Sequence, residues 1–188
     1  ALPIFPDKGK KVLAVDMDPQ GNLTSGLGVD KDSVEKSIYE LIIGEVDIKE
    51  VINKEVLENL DIILLGGGSD REQMLVCNRL KEIKDKFKSY VEDNGVVIAI
   101  CGGYQLLGKY YETDDGKIDG LDIVEIYSVP EKGRLLNNIF IESDLCEMPI
   151  VGFENHGGRT YINKNKPLGK VVFGKGNNGK SGYEGVVY

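Results

Sequence analysis

Residues 61–68 of this 188-residue chain read DIILLGGG, and residues 96–103 read VVIAICGG. In each stretch, a continuous apolar run ends at a cluster of glycines. Apolar runs of this length are typical of strands buried on both faces, as in parallel sheets that are covered by helices. A helical pattern follows each glycine cluster, so strand, tight turn and helix occur in that order twice. We therefore predict an α/β fold with a mostly parallel, flavodoxin-like sheet and flanking helices.

Elements upstream and downstream of these runs extend the pattern. Residues 11–16, KVLAVD, predict an earlier strand, and residues 17–28 predict a loop because they are rich in Pro, Gly, Asn and Ser. Capping-box sequences at residues 32–35 and 69–72 predict the starts of two helices, and residues 48–57 predict a short helical or turn-like stretch. The helix that starts near residue 69 is expected to be long and amphipathic. Its apolar face comprises Val76, Leu80, Ile83 and Phe87.

The second half of the chain has a different character. Residues 104–111 predict one more short helix, after which the sequence becomes β-rich. The predicted β segments are residues 118–129, 138–142, 148–162 and 171–173. Because no linker, repeat or low-complexity stretch divides the chain, we predict a single α/β domain over residues 1–188 with a β-rich second half.

Composition argues against several classes of protein. The chain has 31 acidic and 23 basic residues and a net charge of -8, which argues against a nucleic-acid groove. Its longest apolar run, residues 96–101, is far shorter than the roughly 20 residues of a membrane-spanning helix. We expect no signal peptide in the proline-containing residues 1–11. The three cysteines, Cys77, Cys101 and Cys146, have unrelated spacings, so we predict no disulfide framework, no metal site and a cytoplasmic location.

The turn at Cys101 has the order of elements of a nucleophile elbow. A strand ends, the cysteine lies at the corner, two glycines follow and a helix begins. The helix N-terminus favours a thiolate, and the N–H group of Gly102 is placed to donate to an oxyanion. In a parallel sheet the preceding glycine loop reaches the same edge, so Gly67 could supply a second donor. A small cysteine buried at a strand end is the plain alternative, but the two glycine turns together favour acyl chemistry.

Several motifs, in order along the chain, resemble the class I glutamine amidotransferases of the cobyric acid synthase type. They are GGGSDRE at residues 66–72, AICGGYQLLG at 99–108, GR at 133–134 and GFENHGGRTY at 152–161. The similarity extends over residues 61–188. It implies a class I glutamine amidotransferase-like fold and a glutaminase in which Cys101 attacks the side-chain amide of glutamine and forms a glutamyl thioester.

The same resemblance assigns roles to other residues. Gly67 and Gly102 would hold the oxyanion. Gln105, Arg134 and Asn155 would position glutamine, with Arg134 on its carboxylate because a guanidinium pairs there bidentately. Ammonia would pass to a Mur-ligase-like or other amide-forming synthetase in peptidoglycan or cobalamin biosynthesis, and no cofactor is implied.

The catalytic histidine of the family has no match before Tyr188, where the given sequence ends. We therefore expect a truncated glutaminase that is weak or inactive as it stands, and leave its status as an enzyme open. The one histidine, His156, lies in a family motif and is either structural or a substitute base. Exposed edges left by a missing last strand would favour a homodimer.

Residues 8–28, KGKKVLAVDMDPQGNLTSGLG, resemble ParA-like partitioning ATPases instead, and this resemblance continues to about residue 52. It implies that Asp18 helps to position the attacking water near Mg²⁺, with ATP and Mg²⁺ as cofactors under this alternative alone. The phosphate loop of that family precedes the resembling segment. The sequence thus suggests a chimera of a ParA-like segment, residues 1–58, and a glutaminase-like segment, residues 59–188. A recombinant protein without natural activity and a nucleotide-binding module are the alternatives.

Residues 174–181, GKGNNGKS, match the phosphate-loop pattern. A phosphate loop needs a helix that begins at its Lys-Ser end, and the residues that follow here have turn and strand character. We therefore predict a hairpin at this position.

Overall fold

The computed structural model describes residues 8–17, 22–28, 30, 40–41, 44–48, 59–113 and 116–188. Among the described residues of the first hundred, the elements are β1 (Val12–Val15), α1 (Asn22–Gly26), β2 (Ile62–Leu65), α2 (Asp70–Lys81), α3 (Lys84–Glu92) and β3 (Val96–Ala99). They are followed by α4 (Gly102–Leu107), β4 (Tyr110–Thr113), β5 (Gly116–Asp119), β6 (Tyr127–Glu142), β7 (Ile150–Tyr161), β8 (Gly169–Phe173) and β9 (Tyr183–Glu184). The capping box predicted at residues 32–35 and most of the stretch at residues 48–57 lie outside the described residues.

The chain forms two compact units, Ala1–Tyr104 and Gln105–Tyr188. This division follows contacts in space, whereas the predicted boundary between residues 58 and 59 follows motif resemblance and stays a prediction. Within the described part of the chain, no helix has the length and apolar character needed to cross a membrane.

The first unit contains a parallel sheet with the strand order β1-β2-β3. Val12 is paired with Ile62, and Ile62 with Val96, so the three strands run side by side in one direction. All three strands predicted from apolar runs are confirmed. The strand predicted at residues 11–16 is part of this sheet as β1, and the chimera hypothesis requires that it be so.

The central strand β2 and the two helices after it form the core of this unit. Every residue of β2 is buried, because the strand has a neighbour on both sides. The predicted apolar face of the helical region is also confirmed. Its members Val76, Leu80, Ile83 and Phe87 are each at most 3% exposed. Burial of such side chains stabilises the fold by about 1.5–3 kcal/mol each.

The long helix predicted from residue 69 onward is two helices, α2 and α3. Ile83 leaves the helical region, with φ -116° and ψ 14°, while its side chain remains buried. Burial of this side chain therefore takes precedence over a continuous helix, as tertiary packing often overrides local propensity. Ser69 is the N-terminal cap of α2, but its hydroxyl makes no capping hydrogen bond, so the predicted capping box is not formed there.

Three other predictions are corrected. The loop expected over residues 17–28 contains the short helix α1, because Asp16 accepts hydrogen bonds from Thr24 N (2.8 Å) and Oγ1 (2.6 Å). The helix expected over residues 104–111 begins at Gly102 and ends at Leu107, and the next residues form β4. β3 is not buried on both faces, because Val96 is 50% exposed and the other three residues of the strand are only half-buried.

The second unit is β-rich, as predicted. Its six-stranded sheet has the path β5-β4-β6-β8-β9, with β7 paired to β6. The antiparallel β6–β7 pair is interrupted by a register shift between Pro130 and Leu135. β8 and β9 are antiparallel and enclose residues 174–181, which confirms a hairpin and not a phosphate loop at that position.

Candidate functional site

Cys101 lies at a sharp corner between β3 and α4. Its φ is 56°, in the left-handed region that residues with a side chain seldom adopt, and its side chain is exposed. The corner is fixed on the strand side, where Ile100 N donates to Leu65 O at 2.9 Å. A reactive side chain held clear of the sheet by a strained backbone is the geometry of a nucleophile elbow.

The glycine loop after β2 lies directly against this corner. A Cβ atom on Gly67 would stand 3.1 Å from Cys101 Cβ and 3.4 Å from its Sγ. Gly103 N donates to Gly66 O at 3.0 Å, which binds the loop to the start of α4. The structure therefore brings Gly67, Cys101 and Gly102 together at the carboxyl edge of the parallel sheet.

The peptide N–H group of Gly67 is oriented by the same contact. The described peptide bonds are trans, so the Gly67 N–H points away from the side on which the Gly66 carbonyl meets Gly103. Among the described residues, neither Gly67 N–H nor Gly102 N–H donates to a backbone carbonyl. Two backbone donors beside a cysteine at a helix N-terminus can stabilise an oxyanion.

Gln73 also belongs to this cluster and has no role in the sequence-based predictions. It lies in the first turn of α2, is 2% exposed, and its Nε2 donates to Gly68 O at 2.7 Å. Its side chain fills the space that a Cβ atom on Gly102 would need. The sequence does contain a signal for it. Gln73 lies three positions before Val76, so a helical pattern places this polar residue on the apolar face of the helix.

Three predicted substrate-binding residues lie together in the second unit. Arg134 donates from Nε to Asn155 Oδ1 and from Nη2 to Asn155 O, both at 3.0 Å. A Cβ atom on Gly158 would stand 2.9 Å from Gln105 Nε2, so Gln105 lies against the same strand, β7. Arg134 falls within the register shift of β6, where the strand departs from regular pairing.

His156 and Arg159 extend this second group. His156 Nδ1 lies 2.7 Å from Gly158 O. Because a carbonyl can only accept, Nδ1 donates, which leaves Nε2 as the ring nitrogen that can accept a proton. Arg159 is 4% exposed and donates to Gly157 O (2.7 Å) and Gly133 O (3.1 Å), so one buried side chain joins β6 and β7.

Glu184 is a titratable residue that the sequence-based predictions missed. Burial raises its pKa from the usual 4.5 to about 7, and the charge of Glu154 adds to this rise. Glu154 itself accepts from the N–H groups of Lys175 and Gly176, both at 2.8 Å. The approach of Glu154 and Glu184 depends on strand pairing, so no local sequence pattern predicts it.

Two of the remaining predicted residues, Cys77 and Cys146, belong to neither group. Asp18 lies outside the described residues. Cys77 is fully buried in the core, and Cys146 is an exposed loop residue. No group of three or more His, Cys, Asp or Glu side chains with the spacing of a metal site occurs among the described residues.

Curated proteins of similar sequence were found. The chain is 46% identical over 147 residues to the lipid II isoglutaminyl synthase (glutamine-hydrolyzing) subunit GatD of Staphylococcus aureus, covering 77% of this chain and 60% of that protein. It is 40% identical over 146 residues to the GatD subunit of Streptococcus pneumoniae, covering 76% of this chain and 56% of that protein. The chain thus spans less than two thirds of the length of these relatives.

A different relative is the sporulation initiation inhibitor protein Soj of Bacillus subtilis. It is 34% identical over 96 residues, which is 50% of this chain and 38% of that protein. The shares of the chain matched to Soj and to the S. aureus protein, 50% and 77%, together exceed the whole chain, so the two matched stretches overlap.

The fold is also that of a known structure. A solved structure described as a glutamine amidotransferase aligns with a TM-score of 0.52 and 15% identity, covering 85% of this chain and 79% of that one. This likeness confirms the predicted α/β fold class. The sequence profile of the CobB/CobQ-like glutamine amidotransferase domain matches residues 41–188, which is most of the chain. The chain therefore belongs to the CobB/CobQ-like glutamine amidotransferase domain family.

Proposed function

We propose that this chain is the glutamine-hydrolysing subunit of an amide-forming synthase, and that Cys101 is its nucleophile. The observation that carries the proposal is the strained corner at Cys101, with the N–H groups of Gly67 and Gly102 beside it. Membership of a glutamine amidotransferase family supports attack on glutamine as the reaction of this cysteine.

The proposed chemistry has two stages. The Cys101 thiolate adds to the side-chain carbonyl of glutamine, and the negative oxygen of the tetrahedral intermediate accepts hydrogen bonds from Gly67 and Gly102. The base that took the thiol proton gives it to the nitrogen as the carbon–nitrogen bond breaks. Ammonia departs, and the glutamyl group remains on Cys101 as a thioester. Water attacks the thioester, which releases glutamate and restores the thiol.

Proton transfer between the thiol and the leaving nitrogen requires a base. His156 is the one histidine in the sequence, and its hydrogen bond through Nδ1 holds the ring with Nε2 as the possible proton acceptor. We propose it as a substitute base, with a structural role as the alternative.

Substrate recognition is proposed for Gln105, Arg134 and Asn155. Arg134 is exposed and uses its Nε and Nη2 on Asn155, which fixes the plane of the guanidinium. A guanidinium with a fixed plane and further N–H donors suits the carboxylate of glutamine.

The acceptor of the ammonia is proposed from the relatives. Two of them are subunits of lipid II isoglutaminyl synthase, so the partner proposed here is a Mur-ligase-like synthetase that forms an amide on a peptidoglycan precursor. A cytoplasmic location, the absence of a cofactor and formation of a homodimer stay predictions. Light scattering of the purified chain tests the last of these.

A nucleotide-binding module is the second candidate function. The resemblance of residues 8–52 to ParA-like partitioning ATPases favours it. Under this candidate Asp18 acts near Mg²⁺, and MgATP should raise the unfolding temperature. An unchanged unfolding temperature would favour the glutaminase proposal, and the chimera hypothesis would then rest on resemblance alone.

The direct test is hydrolysis of glutamine labelled with ¹⁵N in its side-chain amide. We expect slow release of ¹⁵N-ammonia and glutamate in equal amounts from the wild-type chain, in line with the weak activity predicted from the sequence, and neither product from Cys101→Ser. Cys146→Ser is the matched control, because Cys146 is also exposed but lies in a loop outside the site. Equal release from the wild type and from Cys101→Ser would contradict the proposal.

A further inference from the structure

We infer that Gln73 is a positioning residue that holds the two oxyanion donors, Gly67 and Gly102, at a fixed separation. This inference rests on the proposed glutaminase function and names a residue that acts through others in the same site. Gly67 belongs to the loop after β2, and Gly102 begins α4, so the two donors lie on different segments of the chain. The hydrogen bond from Gly103 N to Gly66 O already joins these segments, and a side chain that touches both further limits the distance between the donors.

The first supporting observation is the hydrogen bond from Gln73 to the glycine loop. Gln73 Nε2 donates to Gly68 O at 2.7 Å. This bond fixes the peptide that follows Gly68 and so limits the conformations of the loop. The main chain of α2 strengthens it, because Gln73 N donates to Ser69 O at 2.9 Å and holds the residue in the first helical turn.

The second observation is the contact of the same side chain with the elbow. The amide of Gln73 occupies the space in which a Cβ atom on Gly102 would lie. Gly102 therefore approaches α2 as closely as its lack of a side chain allows. One buried amide thus touches both donor segments: it is hydrogen-bonded to the first and packed against the second.

The third observation is that Gln73 is a poor choice for packing alone. Its Oε1 is buried and makes no hydrogen bond in the described part of the chain. A buried acceptor without a partner destabilises a fold, and an apolar side chain of similar shape would remove that cost. A residue that costs stability at this position is accounted for by a role in the site.

The consequence for the reaction is specific to the tetrahedral intermediate. Donors must lie within a few tenths of an ångström of their productive positions to stabilise an oxyanion. Loosening the separation of Gly67 and Gly102 should weaken binding of tetrahedral adducts. Binding of unreacted glutamine should not change, because its carbonyl carries no developing charge.

The test uses protection of Cys101 against iodoacetamide in the intact chain. Alkylation by iodoacetamide forms no oxyanion, so its rate reports the reactivity of the thiol. Protection by glutamine reports binding of the ground state. Protection by L-glutamate γ-semialdehyde, whose aldehyde forms a tetrahedral hemithioacetal with a thiol, reports the oxyanion donors.

The variants are Gln73→Met, which keeps the unbranched shape, and Gln73→Glu, which keeps the shape and lacks the N–H donors. Cys77→Ala is the matched control, because Cys77 is a buried residue of the same helix.

For Gln73→Met we expect the affinity for the semialdehyde to fall about tenfold or more, as when an oxyanion donor is weakened. Its iodoacetamide rate and glutamine protection should stay within about twofold, and its unfolding temperature should be equal or higher. Gln73→Glu should lose semialdehyde affinity as well. Cys77→Ala should lower the unfolding temperature. It should leave the iodoacetamide rate, the protection by glutamine and the affinity for the semialdehyde unchanged.

Two outcomes would overturn the inference. The first is unchanged semialdehyde affinity in both Gln73 variants, with the wild type protected. The second is a parallel loss of glutamine and semialdehyde protection, which would make Gln73 a general structural residue. If neither compound protects the wild-type Cys101, the proposed glutaminase function itself fails, and the inference fails with it.

Discussion

Gly67 faces the side chain of Cys101 at van der Waals distance, with room for a hydrogen atom and little more. A Cβ atom at Gly67 would stand 3.1 Å from Cys101 Cβ, which is closer than such atoms normally approach. This contact joins the two glycine turns, and the proposal that both N–H groups serve one cysteine depends on it. It also makes the residue type at position 67 testable.

Gly67→Ala should slow acylation of Cys101 by roughly tenfold, because the added methyl group must displace the nucleophile or the loop. The fold should be retained, since the strain is confined to one contact. The measurement is the rate of covalent modification of Cys101 together with the unfolding temperature. Gly26→Ala is the control, because a Cβ atom there meets nothing within 4 Å. Equal modification rates in the two variants would refute the prediction.

Arg134→Lys should weaken glutamine binding by roughly tenfold without changing the rate of the covalent step. Lysine cannot make the two-pronged contact with a carboxylate, and it also loses the paired bonds to Asn155. The measurement is the glutamine concentration that half-protects Cys101 from alkylation. Lys132→Ala removes an exposed charge from the same strand segment and should leave that concentration unchanged. A change confined to the covalent step would argue against a binding role.

Glu184→Gln should stabilise the chain at alkaline pH. The pKa of Glu184 is raised to about 7 in the folded state by burial and by Glu154. Below pH 4.5 the Glu184 carboxyl is protonated in both the folded and the unfolded state, so its burial does not change the free energy of unfolding through ionisation. Between pH 4.5 and 7 the unfolded state ionises this carboxyl while the folded state keeps the proton, so the wild type loses stability, by about 3 kcal/mol at most, and the loss levels off above pH 7.

The check on Glu184 is the free energy of unfolding at pH 4.5 and pH 8. The variant should match the wild type at the lower pH and exceed it at the higher pH. Glu112→Gln, at an exposed position on β4, is the control and should change neither value. A gain that is equal at both pH values would mean that ionisation of Glu184 is not its cause.

Ile63→Ala should cost about 2–5 kcal/mol of stability, because Ile63 is 1% exposed in the central strand of the parallel sheet. Val96→Ala, in the neighbouring strand, should cost less than about 0.5 kcal/mol because that side chain is half exposed. Chemical denaturation measures both values. Similar losses in the two variants would contradict the assignment of β2 as the centre of the core.

The features that the sequence predicts well are those with local signals. The apolar runs at β1, β2 and β3 predict strands because the side chains themselves require burial. The glycines at positions 67 and 102 predict tight turns because glycine permits the close approach of neighbouring segments. The meeting of the two turns also follows, since parallel strands end at one edge of a sheet.

The features that the sequence does not predict depend on contacts between distant residues. The break between α2 and α3 at Ile83 arises because that side chain is buried outside helical geometry. The exposure of Val96 depends on what packs against the start of β3, which no local pattern predicts. The role inferred for Gln73 depends on Gly68 and Gly102, which are 5 and 29 positions away, and a glutamine in line with an apolar helix face indicates burial without indicating either contact.

The central claim is that Cys101 is a nucleophile in a glutamine-binding site. The most direct measurement is modification by 6-diazo-5-oxo-L-norleucine, a glutamine analogue that alkylates a nucleophile, followed by peptide mass mapping. The account predicts modification of Cys101 alone, blocked by excess glutamine, with buried Cys77 and exposed Cys146 left intact. Equal modification of Cys101 and Cys146, or none at all, would contradict it.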